Sequence, residues 1–221
     1  FFRLGATCCP SPPPSPSSSP ALEPYSAESA IERADYAVAD VETTGLGRSD
    51  LVIQLAIGMF DKDGRALGFY NRLWKLPPNR SVPRRAIEVH KITNSMLKES
   101  GQDTQAELYT ARSIFNRLVE RKVPIVFHNA SFDLRLLNQT ADQFDVGWNL
   151  SETDCVCTMR SLRGPAGIIS EKTGRIKNPG NEELYRLFFK KRPDLGNLHD
   201  ALTDVKVTSQ VYFYAVRRNL I

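Results

Sequence analysis

Strand-like and helix-like segments take turns along this chain from residue 36 onward, and this alternation constrains the fold more than any other feature. In chain order, the sequence predicts strands at 36–41, 51–60, 66–74, 123–127 and, at an edge of the sheet, 153–157, with helices starting after Asp103 and at Ser131 and spanning 181–190 and 198–218. Interleaved strands and helices are typical of a mixed sheet that helices cover on both faces. We therefore expect an α/β fold with about five strands.

Local signals add detail to this prediction. An Asp-Gly turn at residues 61–64 predicts a hairpin between the second and third strands. Ser131 is expected to cap the helix after the fourth strand, and Asn197 to cap the last helix. Residues 163–180 are rich in glycine and proline, so we expect a loop there.

The first 30 residues differ in composition from the rest of the chain. Between Cys8 and Pro24 most residues are proline or serine, with almost nothing to bury. Such a segment cannot offset the entropy lost on ordering, so we expect residues 1–30 to be a disordered tail and 31–221 to be one folded domain. The tail could be a linker or the remnant of a targeting segment, because the chain lacks an initial Met.

Composition excludes several other classes of protein. The most apolar stretch, residues 51–60, is interrupted by Gln54 and Gly58 and is too short to span a membrane, so no membrane partner is expected. Four cysteines, two of them in the tail, are too few for a disulfide scaffold and disfavour structural zinc. We expect an intracellular protein, and the tail leaves organellar targeting open. The net charge of +4 tolerates an anionic partner without demonstrating one.

Two carboxylates stand close together in the first predicted strand. Asp40 and Glu42 are two residues apart in an otherwise apolar segment, so both side chains point to the same face of the sheet. Neighbouring carboxylates at the end of a core strand repel each other and lose solvation unless a cation compensates them. This pattern is how sites for hard divalent metals are built, although acidic residues also simply end strands in solvent.

Three further chemically active residues fall at the borders of predicted elements. Asp133 lies in the first turn of the helix that follows a buried strand, and His199 and Asp204 lie at the start of the last helix. A spacing of five residues turns a helix by about 140° beyond a full turn, so His199 and Asp204 meet only if His199 precedes the regular helix. Each residue alone has an ordinary structural explanation, but in open α/β sheets such borders are where sites assemble.

These segments together resemble a known family over about residues 34–218. Asp40-Val-Glu42-Thr-Thr-Gly, His128-Asn-Ala-Ser-Phe-Asp133 and His199-Asp-Ala-Leu-Thr-Asp204 are similar, in order and spacing, to the three motifs of the DEDDh 3′–5′ exonucleases. This RNase H-like group includes bacterial polymerase proofreading subunits, RNase T and oligoribonuclease. The segment Val89-His90-Lys91-Ile92-Thr93 also resembles the family's V-H-G-I-T segment, with Lys91 in place of the usual Gly.

The resemblance implies a catalytic centre with two Mg²⁺ ions, for which Mn²⁺ is a common substitute. It implies that Asp40 bridges both ions, that Glu42 and Asp204 complete the site of the ion that carries the nucleophile, and that Asp133 holds the second ion. His199 is the candidate general base, since an imidazole can accept a proton near neutral pH.

We also expect five residues to contact the substrate: Thr43, Leu46, His90, Asn129 and Phe132. Thr43 opens a small, turn-rich loop whose backbone can closely approach a ligand. Leu46, His90 and Phe132 could pack on the terminal base or sugar, while core packing is an equal alternative for Phe132. Basic residues such as Arg84, Arg85 and those at 190–192 could meet phosphates, although such charges are more often solvated.

The function implied by the resemblance is metal-dependent 3′–5′ hydrolysis of single-stranded nucleic-acid ends, with DNA as the favoured substrate and nucleoside 5′-monophosphates as products. An RNA-trimming or short-oligonucleotide nuclease is an alternative, because no residue visibly reads a 2′-hydroxyl. A non-catalytic nucleic-acid or polymerase-binding module is a second alternative, but it predicts the loss of an acidic ligand, and none is missing. A polymerase or another replication or repair protein is a possible partner.

Overall fold

The computed structural model describes residues 25–148, 150–193 and 200–221. The helices are α1 Tyr25–Arg33, α2 Arg84–His90, α3 Asn94–Ser100, α4 Thr104–Glu120, α5 Ala130–Gln143, α6 Thr158–Ser161, α7 Arg163–Ala166, α8 Asn181–Phe189 and α9 Ala201–Arg217, and a 3₁₀ turn spans Glu152–Asp154. The strands are β1 Tyr36–Thr43, β2 Val52–Phe60, β3 Ala66–Leu73, β4 Ile125–Phe127 and β5 Cys155–Cys157. Within the described residues, no helix combines the length and apolar character that crossing a membrane requires.

The strands form one mixed sheet in the order β3-β2-β1-β4-β5, which confirms the predicted fold class. β1 pairs antiparallel with β2, and β2 with β3, whereas β1–β4 and β4–β5 are parallel pairs. The predicted hairpin is present, because the Gly64 amide donates to the Asp61 carbonyl and the Asp61 amide donates to the Arg65 carbonyl, at 3.0 Å each. β5 lies at the edge, as predicted.

Helices cover both faces of the sheet, and the alternation along β1 decides which residue meets which helix. Tyr36 and Val38 pack with Val205 of α9 on one face. Ala37 belongs to the larger core on the other face, which includes Phe115 of α4 and the apolar side of α5. Continuing this alternation places the side chains at 40 and 42 on the α9 face.

Two helix starts differ from the prediction. α5 begins at Ala130 after Asn129, so Ser131 lies inside the first turn and is not the cap. α9 begins at Ala201, where the side chain of Asp200 accepts a hydrogen bond from the Thr203 amide. The predicted cap Asn197 lies outside the described residues. In both cases several polar residues precede the helix, and sequence alone does not show which one meets the free amides.

Short helices that the sequence did not predict complete the domain. α1 occupies Tyr25–Arg33, so the predicted boundary at residue 31 falls inside a helix, while residues 1–24 of the predicted tail lie outside the described part of the chain. α2 includes the first two residues of the segment 89–93, α3 begins directly after it, and α7 occupies the start of the predicted loop at 163–180. These helices are short, so they carry too few apolar repeats for a periodic signal.

Candidate functional site

Three carboxylates meet where β1 faces the first turn of α9. Asp40, Glu42 and Asp204 each offer one carboxylate oxygen, and these oxygens all lie within 4.8 Å of one another. All three side chains are half-buried, so solvent still reaches them from one side. The face alternation of β1 predicted that Asp40 and Glu42 would share a direction. The first turn of α9 adds Asp204 from a segment far away in the sequence.

Asp133 lies beside this group rather than within it. Its side chain is 3% exposed in the first turn of α5, and backbone hydrogen bonds from Val41 and from its own amide stabilise its charged form. Val41 lies between Asp40 and Glu42 in β1, so this contact ties the start of α5 to the strand that carries the other carboxylates.

Burial and neighbouring carboxylates raise the pKa values of Asp40, Glu42 and Asp133. Burial is the largest cause for each of the three, and repulsion from neighbouring carboxylates adds to it, so the pKa of Asp40 lies well above its usual range. The pKa of Glu42 is raised to about 9 and that of Asp133 to about 8. The metal-free cluster therefore favours bound protons at neutral pH. Divalent cations relieve the same repulsion, and an all-oxygen donor set is the one that Mg²⁺ and Mn²⁺ prefer.

Gln54 and Asp200 belong to this site, and the sequence analysis did not identify either as functional. Gln54 is a 4% exposed residue of β2 whose Nε2 donates to Asn71 Oδ1 and Asp200 Oδ1, both at 3.0 Å. Its Oε1 accepts from the Ala201 amide at 3.3 Å. The side chain therefore holds the start of α9 one turn before Asp204. A glutamine inside an otherwise apolar strand was the available signal.

His199 precedes Asp200 and lies outside the described residues, so its role as general base stays a prediction. His128 is a different case. Its Nε2 lies 3.1 Å from the Pro179 carbonyl and its Nδ1 lies 3.1 Å from Thr158 Oγ1. Burial lowers the pKa of His128 to about 4. A neutral imidazole with both nitrogens occupied is a structural link between β4 and the segment before α8.

The loop after β1 is held in a fixed shape beside the carboxylates. Thr44 Oγ1 donates to Asp50 Oδ1 at 2.8 Å, and the Gly47 amide donates to Asp50 Oδ2 at 2.6 Å. A Cβ atom at Gly45 would lie 2.7 Å from the same carboxylate, so a larger residue here would displace Asp50 from these contacts. Arg135 also donates to two carbonyls of the loop, at 3.2 and 3.3 Å.

The predicted substrate residues occupy different environments around this loop. Leu46 is 77% exposed at the loop tip, whereas Thr43 is buried and donates to the Gly45 carbonyl at 2.8 Å. Phe132 is half-buried against the core, with the Arg135 guanidinium 5.6 Å from its ring centre. Leu46 is therefore accessible to a ligand, whereas at least part of the Phe132 ring packs against the core.

The remaining two predicted substrate residues are Asn129 and His90. Asn129 is half-buried at the start of α5, one turn before Asp133. His90 is buried, and its Nδ1 accepts the Ile92 amide at 3.0 Å. His90 lines a cleft of about 480 Å³ together with Gln54 and Asp200, so this cleft adjoins the carboxylate cluster.

Lys91 occupies a backbone conformation that normally favours glycine. Its φ of 65° is left-handed, and its amide closes α2 by donating to the Ile87 carbonyl. This geometry explains why the family segment has Gly at the corresponding place. The departure from the family pattern therefore changes the side chain but not the turn, and it adds a cation to the wall of the cleft.

Most of this chain matches a known protein family. The model of the RNase_T family, described as exonuclease, matches residues 37–212. A PolC-type DNA polymerase III from Thermotoga petrophila is 31% identical over 199 residues, which are 87% of this chain and 13% of that protein. The chain thus spans a small part of this curated relative.

Two solved structures illustrate the likeness in fold. Escherichia coli exonuclease I in complex with a dA16 oligonucleotide has a TM-score of 0.65 at 19% identity, covering 83% of this chain and 41% of that one. The nuclease domain of 3′hExo, a DEDDh family member bound to rAMP, has a TM-score of 0.65 at 9% identity, covering 83% and 92%. At these identities the likeness concerns the fold alone, which is the RNase H-like sheet that the sequence predicted.

Proposed function

This chain belongs to the RNase_T exonuclease family, and from that premise we propose that it is a 3′–5′ exonuclease that uses two Mg²⁺ ions. Its proposed substrates are single-stranded nucleic-acid 3′ ends, with DNA favoured, and its proposed products are nucleoside 5′-monophosphates. The observation that carries the proposal is the convergence of Asp40, Glu42 and Asp204 within 4.8 Å, with buried Asp133 beside them.

The donor set fits divalent metal, because four carboxylates stand together and because burial and mutual repulsion raise the pKa values of Asp40, Glu42 and Asp133. We assign Asp40, Glu42 and Asp204 to hold one ion and Asp40 with Asp133 to hold the other. Bound ions would activate the attacking water and neutralise charge on the leaving oxygen. The contact of Asp133 with the Val41 amide orients its carboxylate toward β1.

His199 is proposed to accept the proton of the attacking water. The residue after it, Asp200, is anchored by Gln54 and by the Thr203 amide, so the chain enters α9 at a fixed point. An imidazole with an ordinary pKa of about 6.5 serves as a base near neutral pH. Leu46, at the tip of its braced loop, is proposed to pack against the terminal nucleotide, with Thr43, His90, Asn129 and Phe132 lining the same region.

DNA is favoured as the substrate because the Thermotoga petrophila relative is a DNA polymerase and the Escherichia coli neighbour is bound to a DNA oligonucleotide. The likeness to 3′hExo, which is bound to rAMP, favours an RNA-trimming activity as the second candidate. The relationship to a polymerase also makes a polymerase or another replication or repair protein a proposed partner.

The test is hydrolysis of matched DNA and RNA strands, each labelled at the 5′ end in one sample and at the 3′ end in another. We expect 5′-labelled strands to shorten stepwise and 3′-labelled strands to release labelled mononucleotide at once, in the presence of Mg²⁺ and not of EDTA. Faster cleavage of RNA would make the second candidate the function. Internal cleavage, or hydrolysis that EDTA leaves unchanged, would contradict the proposal.

A further inference from the structure

The helices α8 and α9 run parallel, so their C-terminal ends lie at the same place. Three contacts between the helices follow one another in the same order along both of them. Asn181 Nδ2 donates to Thr208 Oγ1 at 2.9 Å, and the Tyr185 hydroxyl donates to Gln210 at 3.2 Å. The ring of Phe188 then stacks on that of Tyr214 at 4.7 Å between centroids. Residues that follow each helix are therefore brought together.

Five exposed cations lie at or just after the C-terminal ends of the two helices: Lys190, Lys191, Arg192, Arg217 and Arg218. We call them the α8/α9 basic surface. Among the described residues, no ion pair within 4.0 Å includes any of the five. A helix C-terminus carries about half a negative charge, so the two helix ends offset about one of the five positive charges. Most of the positive charge is therefore available to an anionic partner.

Aromatic rings accompany these cations. The Arg217 guanidinium lies 5.6 Å from the ring centre of Phe213, and that of Arg218 lies 5.4 Å from the ring centre of Tyr214. The two rings, both arginines and Phe189 line a cleft of about 510 Å³. A cationic groove with aromatic walls is the combination that binds single-stranded nucleic acid, because phosphates meet the charges and bases stack on the rings.

The acidic residues near the cleft make their contacts within the turn that carries them. Gly64, at the tip of the β2–β3 hairpin, packs against the Phe213 ring, which brings two aspartates close to the surface. Asp61 accepts the amides of residues 63 and 65, and Asp63 pairs with Arg65 at 3.8 Å. Their charges are partly satisfied locally, so the surface keeps its positive character.

The α8/α9 basic surface stands well apart from the carboxylate cluster. Arg217 is 13 residues after Asp204 on the same helix, a distance of roughly 20 Å at 1.5 Å per residue. A stacked strand advances 3.4 Å per nucleotide, so this distance corresponds to about six nucleotides. A fragment of three nucleotides bound at the carboxylates could not reach this surface.

We propose that the α8/α9 basic surface is a second binding site for the phosphate backbone of a single-stranded nucleic acid whose 3′ end lies at the carboxylate cluster. This inference rests on the proposed function. It assigns the surface to holding long substrates, and it assigns no part in the hydrolysis itself.

The experiment measures binding of 5′-labelled DNA strands of 30 and of 3 nucleotides in EDTA, where no hydrolysis is needed. Two variants each lose two positive charges, Arg217→Gln/Arg218→Gln and Lys191→Gln/Arg192→Gln. The matched control, Lys98→Gln/Lys172→Gln, removes two exposed charges elsewhere on the chain. Lys190 is left unchanged because its left-handed backbone closes α8.

We expect the Kd for the 30-nucleotide strand to rise on the order of tenfold near 0.15 M salt, and the salt slope to fall by about 1.4, if two phosphate contacts are lost. Binding of the 3-nucleotide strand and binding by the control should not change. In Mg²⁺, the KM for the long strand should rise while kcat is kept.

An unchanged Kd for the long strand would overturn the inference, and so would an equal loss for both lengths. The inference would also be overturned if the variants bound the 30-nucleotide strand as the unaltered chain does and lost binding only to vesicles of anionic phospholipid. Because binding is measured without catalysis, these outcomes are separate from failure of the proposed function, which would appear as absence of Mg²⁺-dependent hydrolysis by the unaltered chain.

Discussion

The two ends of α9 carry charge in opposite ways. At its N-terminal end, Asp204 is half-buried among other carboxylates whose pKa values are raised by burial and by one another. At its C-terminal end, Arg217 and Arg218 are exposed, and solvent and salt screen their charges. One helix thus connects a buried cluster, in which neighbouring carboxylates shift one another's pKa values, to an exposed surface, on which the cations act through their summed charge.

The difference teaches that burial, more than charge number, decides how strongly a substitution acts. Buried like charges store repulsion that a bound cation or proton relieves, so the loss of one carboxylate changes both metal binding and stability. Exposed cations contribute through their summed field, so the loss of one changes binding gradually. Substitutions at the two ends should therefore change the stability of the metal-free protein by different amounts and in opposite directions.

The largest effect is expected from Asp40→Asn. Removing this carboxylate, which is affected by the charges of Glu42, Asp133 and Asp204, should lower Mg²⁺-dependent hydrolysis by at least about 10³-fold, because metal stabilisation of the transition state is worth several kcal/mol. In EDTA the same variant should have a raised Tm, since it removes a carboxyl group whose burial and neighbours oppose ionisation in the folded state. Single-turnover hydrolysis and thermal unfolding measure the two effects. The control Asp63→Asn alters an exposed turn residue and should change neither, and a wild-type rate for Asp40→Asn would contradict the site.

A pH series separates the buried end from the exposed one. The pKa values of Glu42 and Asp133, about 9 and about 8 in the folded chain, exceed their unfolded values of about 4, so the folded state binds more protons between about pH 4 and 9. The stability of the metal-free protein that these groups contribute is therefore present at low pH and falls as pH rises through this window.

Mg²⁺ or Mn²⁺ should reverse that decline, and the rise in Tm on adding metal should be greatest near pH 9. Thermal unfolding from pH 5 to 9, with metal and with EDTA, measures it. Glu42→Gln should flatten the metal-free profile. A profile with the same slope in metal and in EDTA would show that the cluster does not exchange protons for metal.

Gln54→Leu is expected to have an intermediate effect, because it acts on the buried end through another residue. It leaves Asp200 and the Ala201 amide without their partner, so the start of α9 loses its anchor. Loss of such outer contacts to a metal site typically costs about 10–100-fold in metal affinity or activity. The Mg²⁺ concentration for half-maximal activity should rise. Gln105→Leu, which removes an exposed glutamine, is the matched control, and equal metal dependence in both variants would refute this role.

Much of the buried end could be predicted from the sequence, because its signals are local. The alternation in β1 places Asp40 and Glu42 on one face, and the motif order adds Asp133 and Asp204. The role of Gln54 could not be predicted, since it depends on which side of β2 meets a helix that begins almost 150 residues later. The prediction that Asn197 caps α9 was also wrong, because the side chain of Asp200 accepts the Thr203 amide. Asn and Asp are both good capping residues, so the sequence does not decide between these two positions.

The exposed end was predicted less well for a related reason. The cations at 190–192 are visible in the sequence, but a basic run alone does not separate a binding surface from a solvated one. Their meaning comes from the parallel packing of α8 and α9, which adds Arg217 and Arg218 and the ring of Tyr214. Packing between two helices depends on many side chains at once, and no local pattern encodes it.

The smallest effect is expected from Arg217→Gln/Arg218→Gln on the folded chain itself. These arginines interact favourably with the negative end of α9, at about 0.3–1 kcal/mol each for an exposed helix terminus and less in salt, so the free energy of unfolding should fall by about 2 kcal/mol or less. Hydrolysis of a 3-nucleotide strand should keep its kcat and KM. Urea unfolding with and without 0.5 M NaCl measures the first effect, and Asp204→Asn at the opposite end should raise the metal-free stability instead. A loss much larger than that, or one that salt does not reduce, would mean that the exposed end is structural, and the contrast between the two ends of α9 would fail.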